Sequence, residues 1–245
     1  MRNTLEKVFA VLDVVASGDG PVTLKDIAKR TGLHPSTVSR VLADLAEIGY
    51  VRKDSYREFS LDLGLVPLGQ KALSHFPLAW LAVPLIAESA ARLGCHGALV
   101  GLHRDRLVYL YRSTLQKGAG TLAEDYQFPL HRSNCGTVLL AARQEDEARR
   151  LLAASLKAES GRSPAGGLGA LVKRLAAARK EGYATVTDGG DWNVAFPLAY
   201  RGRTFAISLH GTGGAPGGIE KRVLECSLLA RRIEAAAGTA NQQGA

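Results

Sequence analysis

Along the first 75 positions apolar residues recur at helical spacing, in runs that stop and restart. Leu5, Val8, Phe9, Leu12 and Val15 stand at i, i+3, i+4, i+7 and i+10, which predicts an amphipathic helix over 4–16 with Thr4 as its N-cap. Residues 17–21, with two glycines and a proline, end it. Leu24, Ile27 and Ala28 predict a short second helix over 24–30, capped by Thr23, with Asp26 favourably placed in its first turn. Gly32 supplies the left-handed position that closes it. Pro35 suits the first turn of a third helix, where its missing N–H costs nothing, and Val38, Val41, Leu42 and Leu45 form that helix's inward stripe.

At 100° per residue, Ser36, Arg40 and Ala43 fall opposite this stripe, with Thr37 and Ser39 on its flanks. After Gly49, the run Tyr50–Lys53 alternates and is expected to pair with Arg57–Leu61 across residues 54–56 as a short hairpin. Two helices around a glycine turn followed by such a hairpin make the pattern of a winged helix-turn-helix. Its third helix is then free to enter a DNA major groove. Hydroxyls and amides at that helix's start suit phosphate oxygens, and Arg40 is long enough for a bidentate contact to guanine. The candidate DNA-binding set is Thr23, Pro35, Ser36, Thr37, Ser39, Arg40, Arg52, Lys53 and Arg57.

Beyond the hairpin the pattern changes. Residues 65–75 read as a linker helix with Pro67 near its start, Pro77 as a boundary, and Trp80–Leu93 as a helix begun or interrupted near Pro84. Gly97–His103 and Leu107–Arg112 predict a hairpin turning at residues 104–106, followed by a polar loop over 113–119. Residues 127–131 read as extended, with a helix opening at Cys135 and a charged helix over 144–156. A glycine-rich linker is expected over 161–169 and a helix over 171–181. Trp192–Ala199 pairs with Thr204–His210, and a closing helix over 219–237 precedes a disordered tail. Hairpins with packed helices predict an α+β domain rather than a dinucleotide fold. The three parts expected are residues 1–63, 64–77 and 78–245.

Composition narrows the class. At 245 residues with 46% hydrophobic and 22% charged residues, the chain is long enough for two folded domains. The net charge of +8 invites a nucleic-acid reading, but residues 1–72 hold ten basic and nine acidic side chains, so placement rather than total charge carries it. Cys95, Cys135 and Cys226 are widely spaced and odd in number, which favours a reducing compartment over a disulfide framework. The start resembles no signal peptide. The most apolar stretch, residues 76–91, is broken by Pro77 and Pro84, so a cytoplasmic protein with no membrane partner is expected.

The run from Thr4 to Leu61, ending in YVRKDSYREFSL, resembles the N-terminal domain of the IclR family of bacterial transcriptional regulators. The likeness continues through the linker lead-in and into the C-terminal half. FPLHRSNCGTVLLA (Phe128–Ala141) is similar to that family's xPLHxSAxGKxxLA, and GDWNVAFPLAYRGRTFAISLHG (Gly190–Gly211) to its GxxCIAAPVxxxxGxxxAALSVSG. The resemblance implies a winged helix-turn-helix, a linker helix and a GAF-like effector-binding domain with a mainly antiparallel sheet. It also implies a homodimer or tetramer on a pseudo-palindromic double-stranded operator, controlled by a small-molecule effector. It places the effector among Ser133, Asn134, Cys135, Gly136, Asp191, Trp192, Asn193, Ser208 and His210. This chain departs from the motifs: Thr137 stands for the usual Lys, Asn193 for Cys or Ser, and His210 for a small residue. A more polar cavity is therefore expected, suited to an organic acid, sugar acid or aromatic catabolite, with Trp192 either stacking on the ligand or packed in the core and Cys135 either at the ligand or in the core.

Other chemistries fit less well. A hydrolase or lyase would use Cys135 or Ser133 with His131 or His210, yet no catalytic signature holds them at a working spacing. His131 is read as structural. The pairs Cys95–His96, His131–Cys135 and His210–Cys226 match no zinc spacing, so no metal and no cofactor are expected. A protein–protein adaptor built on a degenerate winged helix would not need the hydroxyl and arginine face of the third helix.

Overall fold

A computed structural model describes residues 3–18, 20–113, 120–122, 128–158, 166–215 and 217–243. The chain divides into two compact units, Met1–Phe76 and Pro77–Ala245.

The first unit runs α1 (Thr4–Ala16), β1 (Val22–Thr23), α2 (Leu24–Thr31), α3 (Pro35–Glu47), β2 (Val51–Ser55), β3 (Glu58–Leu61) and, after a 3-10 turn at Leu63–Leu65, α4 (Val66–Ser74). Its core joins Val11 and Val15 to Ile27, Val38, Leu42, Leu45, Val51 and Phe59. Two details of α1 differ from expectation. Asn3, not Thr4, is the N-cap, locked in a reciprocal box with Glu6. The buried face is centred on Val11 and Val15, which leaves Leu5 and Phe9 68% and 58% exposed. The helical period alone favoured a different stripe because every position from Val8 to Ala16 except Asp13 is apolar.

The hairpin turns at Tyr56-Arg57, and Arg57 itself takes a positive φ of 71°. A third strand escaped the sequence reading: β1 pairs with β3, Val22 opposite Phe59, giving the sheet order β1-β3-β2. Two residues are too few to show a period. The lead-in to α4 is pinned to the end of α3 by Asp62 N–H to Tyr50 O at 3.0 Å and Gly64 N–H to Gly49 O at 3.0 Å. Any Cβ at Gly64 would strike that Gly49 carbonyl.

The second unit contains α5 (Pro77–Leu93), β4 (His96–His103), β5 (Arg106–Ser113), β6 (Gly120–Leu122), a 3-10 turn at Leu130–Arg132 and α6 (Asn134–Ala141). It continues with α7 (Glu145–Ala158), α8 (Gly167–Glu181), β7 (Ala184–Asp188), β8 (Asp191–Tyr200), β9 (Arg203–Gly211) and α9 (Gly218–Gln243). Six antiparallel strands are ordered β6-β5-β4-β9-β8-β7. One face packs on α6, α7 and α8 through Ala98, Val100, Ala195, Ala206, Leu139, Leu140 and Leu175. The other face carries α5 and α9, and Gly97, next to Ala98 but pointing the opposite way, meets Ile86 of α5. The α+β class with an antiparallel sheet is as expected.

Several boundaries are corrected. Pro84 lies inside a continuous α5, on its exposed side, where one missing N–H is tolerated. The expected extended run through His131 ends in a 3-10 turn. Gly167 and Gly169 belong to α8, not to a linker. Strand β7, which the sequence reading did not mark, closes the sheet edge, and α9 continues past Gly238 to Gln243. The predicted polar loop over 114–119, and residues 127 and 161–165, lie outside the described residues. Among the described residues no single helix is long and apolar enough to cross a membrane.

Candidate functional site

Each unit carries a site. In the first, α3 buries Val38, Val41, Leu42 and Leu45 and leaves Pro35, Ser36, Ser39, Arg40 and Ala43 exposed, with Thr37 half-buried. The N-cap is His34, a residue the sequence reading passed over. Its Nδ1 accepts from the Ser36 N–H at 3.4 Å and lies 2.8 Å from the Ser36 hydroxyl. Among the described residues no hydrogen bond or ion pair holds the Arg40 side chain. Thr23 is committed to the start of α2, accepting from Asp26 N–H at 3.1 Å and donating to Asp26 Oδ2 at 2.7 Å.

The wing sorts its cations. Arg52 Nε donates to Asp54 Oδ1 at 2.7 Å, and the Ser60 hydroxyl donates to the other carboxylate oxygen. The Ser60 hydrogen bond first, then Arg52, holds the Asp54 carboxyl below the usual carboxylate range. Lys53 and Arg57 instead gather on Tyr56, 5.7 Å and 4.8 Å from its ring centre. Tyr56 stands 76% exposed at the tip. It was missed because it lay in the predicted turn, where a lone aromatic has no period to mark it.

In the second unit a cavity of about 340 Å³ opens between the sheet and the start of α6. Register builds its floor: Ala98 lies opposite Ser208, Ser208 opposite Ala195, and Asn193 opposite His210. Ser133 caps α6, its hydroxyl accepting from Gly136 N–H at 3.1 Å. Asn134 Nδ2 reaches across to Asn193 Oδ1 at 3.0 Å and Asn193 O at 3.2 Å, tying helix to sheet. Of the residues expected at a ligand, the fold brings Ser133, Asn134, Cys135, Asp191, Trp192, Asn193, Ser208 and His210 together on this cavity. Gly136 does not line it. A Cβ there would strike the Leu130 carbonyl, so this glycine lets α6 sit against the preceding turn.

For Trp192 the structure chooses between the two expected places, and for His210 it sets the charge. The Trp192 indole is only 3% exposed and is closed in by Gly211 and by the Arg222 guanidinium, 5.0 Å from its centre. It lines the cavity, but its ring packs within the fold rather than standing free to stack. His210 is held down to about 4, chiefly by burial and then by the charges of His96 and Arg112. The His96 ring stacks on it at 4.8 Å. It therefore enters the cavity as a neutral imidazole. His131 is buried, with Nδ1 2.9 Å from the Ser155 hydroxyl of α7.

The cavity also holds Tyr109, Arg112, Phe128, Arg132, Val186 and Asp188, which sequence did not flag. Strict alternation puts Tyr109 and Arg112 on opposite faces of β5. A bulge between Leu99 and Val100 in the pairing places one extra residue in β5 and returns both to one side. Val186 and Asp188 lie on β7, the strand that was not predicted.

Burial pushes the Cys135 thiol up to about 11, with hydrogen bonds to Ser208 and Ser133 offsetting only part of it, so at neutral pH it is a thiol rather than a nucleophilic thiolate. Cys95 and Cys226 are likewise buried free thiols with raised pKa. Among the described residues no three His, Cys, Asp or Glu side chains cluster as a metal site.

Comparison with known proteins gives both halves a context. The model of the IclR helix-turn-helix domain matches residues 4–55, and that of the bacterial transcriptional regulator IclR C-terminal domain matches residues 70–195. The HTH-type transcriptional regulator KdgR of Dickeya chrysanthemi is 29% identical over 148 residues, 60% of this chain and 48% of that protein. BhcR of Paracoccus denitrificans is 28% identical over 151 residues, 60% of this chain and 53% of that protein. The match thus spans about half the length of these curated relatives. An IclR family regulator from Brucella abortus shares the fold at 24% identity and a TM-score of 0.76, covering 96% of this chain and 93% of the other. So does an IclR homologue from Microbacterium hydrocarbonoxydans complexed with 4-hydroxybenzoate, at 22% identity and a TM-score of 0.71, covering 97% and 100%. With its helix-turn-helix, its antiparallel effector-type domain and both family models matched, the chain belongs to the IclR family of bacterial transcriptional regulators.

Proposed function

We propose that this protein binds a pseudo-palindromic operator through α3 and the wing of a homodimer, and that a small carboxylate in the second unit's cavity modulates that binding. The observation that carries the DNA half is the division of α3 into a buried stripe and an opposite face of Ser36, Ser39, Ala43 and Arg40, the last unengaged among the described residues. Lys53, Tyr56 and Arg57 at the wing tip extend the surface toward the backbone or minor groove, whereas Arg52 is partly neutralised by Asp54. A second copy is implied because one winged helix buries little surface and two half-sites multiply affinity. The apolar Leu5 and Phe9 on α1 suit that contact.

The cavity supports an anionic ligand. Ser133, Asn134 and Cys135 open α6, and no acceptor among the described residues takes the Asn134 N–H. Arg112 and Arg132 line the same space, while Asn193, Ser208 and the neutral His210 suit hydroxyl groups. The 4-hydroxybenzoate complex of the Microbacterium homologue points to the same class of ligand. The raised Cys135 pKa weighs against an enzyme built on that thiol.

The test is fluorescence anisotropy of the full-length protein on the DNA upstream of its own gene, with and without organic, sugar and aromatic acids. Salt-dependent binding shifted by one of these acids supports the proposal. Absence of binding at low salt, or no shift with any acid that thermally stabilises the protein, overturns it.

A further inference from the structure

The loop that shapes the cavity is held from behind by a cation. Arg174 on α8 turns its guanidinium into the loop, with Nη2 donating to Thr137 Oγ1 at 2.6 Å, to Ser133 O at 3.3 Å and to His131 O at 3.5 Å. Its Nε reaches Thr137 Oγ1 at 3.2 Å. All these acceptors are neutral, and among the described residues Arg174 forms no ion pair. Burial accordingly pushes its pKa down. A charge kept half-buried without a counter-ion is expensive, and its hydrogen bonds fall on the loop that meets the ligand.

The geometry says what those bonds do. Ser133 O receives Arg174, the Thr137 N–H at 2.9 Å and the Thr137 hydroxyl at 3.0 Å, so three donors converge on one carbonyl. In a trans peptide the next N–H points the opposite way. Fixing Ser133 O against α8 therefore fixes the Asn134 N–H away from it, on the side where Ser133, Asn134 and Cys135 line the cavity. Thr137 stands where the related motif carries Lys, and Arg174 brings a cation to that position from another helix.

We infer that Arg174 is a positioning residue of the ligand cavity, orienting the Ser133–Asn134 peptide through Thr137 and Ser133 so that the site selects a carboxylate over its uncharged amide. This rests on the reading of the cavity as an effector site. It makes Arg174, which lines no part of the cavity, a determinant of which ligands enter it.

The test uses the full chain and calorimetric titration with 4-hydroxybenzoate, pyruvate and gluconate, each against its amide. The wild type is expected to bind at least one acid more tightly than its amide. Arg174→Gln should weaken the acid by about tenfold, the order expected for losing one charge-assisted hydrogen bond, while changing the amide less than about twofold. Arg174→Lys should restore part of the preference. Thr137→Val, close in shape and so less disruptive to folding, should reduce it in the same direction. Equal weakening of acid and amide in Arg174→Gln and Thr137→Val would show that Arg174 only holds the fold, overturning this inference and leaving the effector reading intact. Failure of the wild type to bind any of the acids overturns the carboxylate reading of the cavity, and this inference with it.

Discussion

Arg40 sits opposite the buried stripe of α3 with no internal partner among the described residues, so its contribution is available to a ligand. If it reads a base, Arg40→Ala should lower operator affinity by about 1–3 kcal/mol while binding to mixed-sequence duplex changes little. An equal drop on both duplexes would reduce Arg40 to a phosphate contact. At the cavity, His210 makes a separate prediction. Its folded pKa of about 4 lies below the ordinary histidine value of 6.5, so the unfolded chain binds more protons between those values. Stability should be full above pH 6.5, fall as pH drops toward 4 and level off below it, by about 3 kcal/mol in all. Urea melts of His210→Gln at pH 7 and pH 5 should show a flatter dependence than wild type; an unchanged slope would mean that another group carries it. Some residues were legible in advance because motifs marked them, as with Asn134 and Asn193. Arg174 was not, because its role depends on a helix some forty residues further along the chain folding back onto the loop.

Among the elements, the wing repays attention for what it holds apart. Asp54 and Ser60 engage Arg52, while Tyr56 gathers Lys53 and Arg57 at the tip. Arg57→Ala is expected to weaken binding across all sequences and to lessen the slope of log affinity against log salt by about 1. The same slope in the variant would remove the wing tip from the interface. Strong periods made α3, β4, β8 and β9 readable. Elements that depend on partners were not: β1 exists because β3 offers it an edge, and β7 because β8 does. The bulge in β5 shows the same limit within a strand, since alternation cannot announce the extra residue that brings Tyr109 and Arg112 to one face.

For the whole molecule, the exposed Leu5 and Phe9 on α1 are at odds with a lone first unit. Phe9→Glu should shift light-scattering mass toward the monomer and lower operator binding, without loss of helical signal by circular dichroism. A variant that stays oligomeric would place the contact elsewhere. The amino-acid sequence by itself determined the winged helix-turn-helix, the α+β second domain and the two stretches that meet at the cavity. Those features follow from local period, capping and turn chemistry, which act over a few neighbouring residues. Tertiary structure alone decided that the Trp192 ring is walled in, that His210 is neutral, and that Arg174 braces the α6 loop. Each of these depends on burial or on a partner distant in sequence or across a hairpin, and neither desolvation nor a long-range hydrogen bond is written in the spacing of residues along a chain.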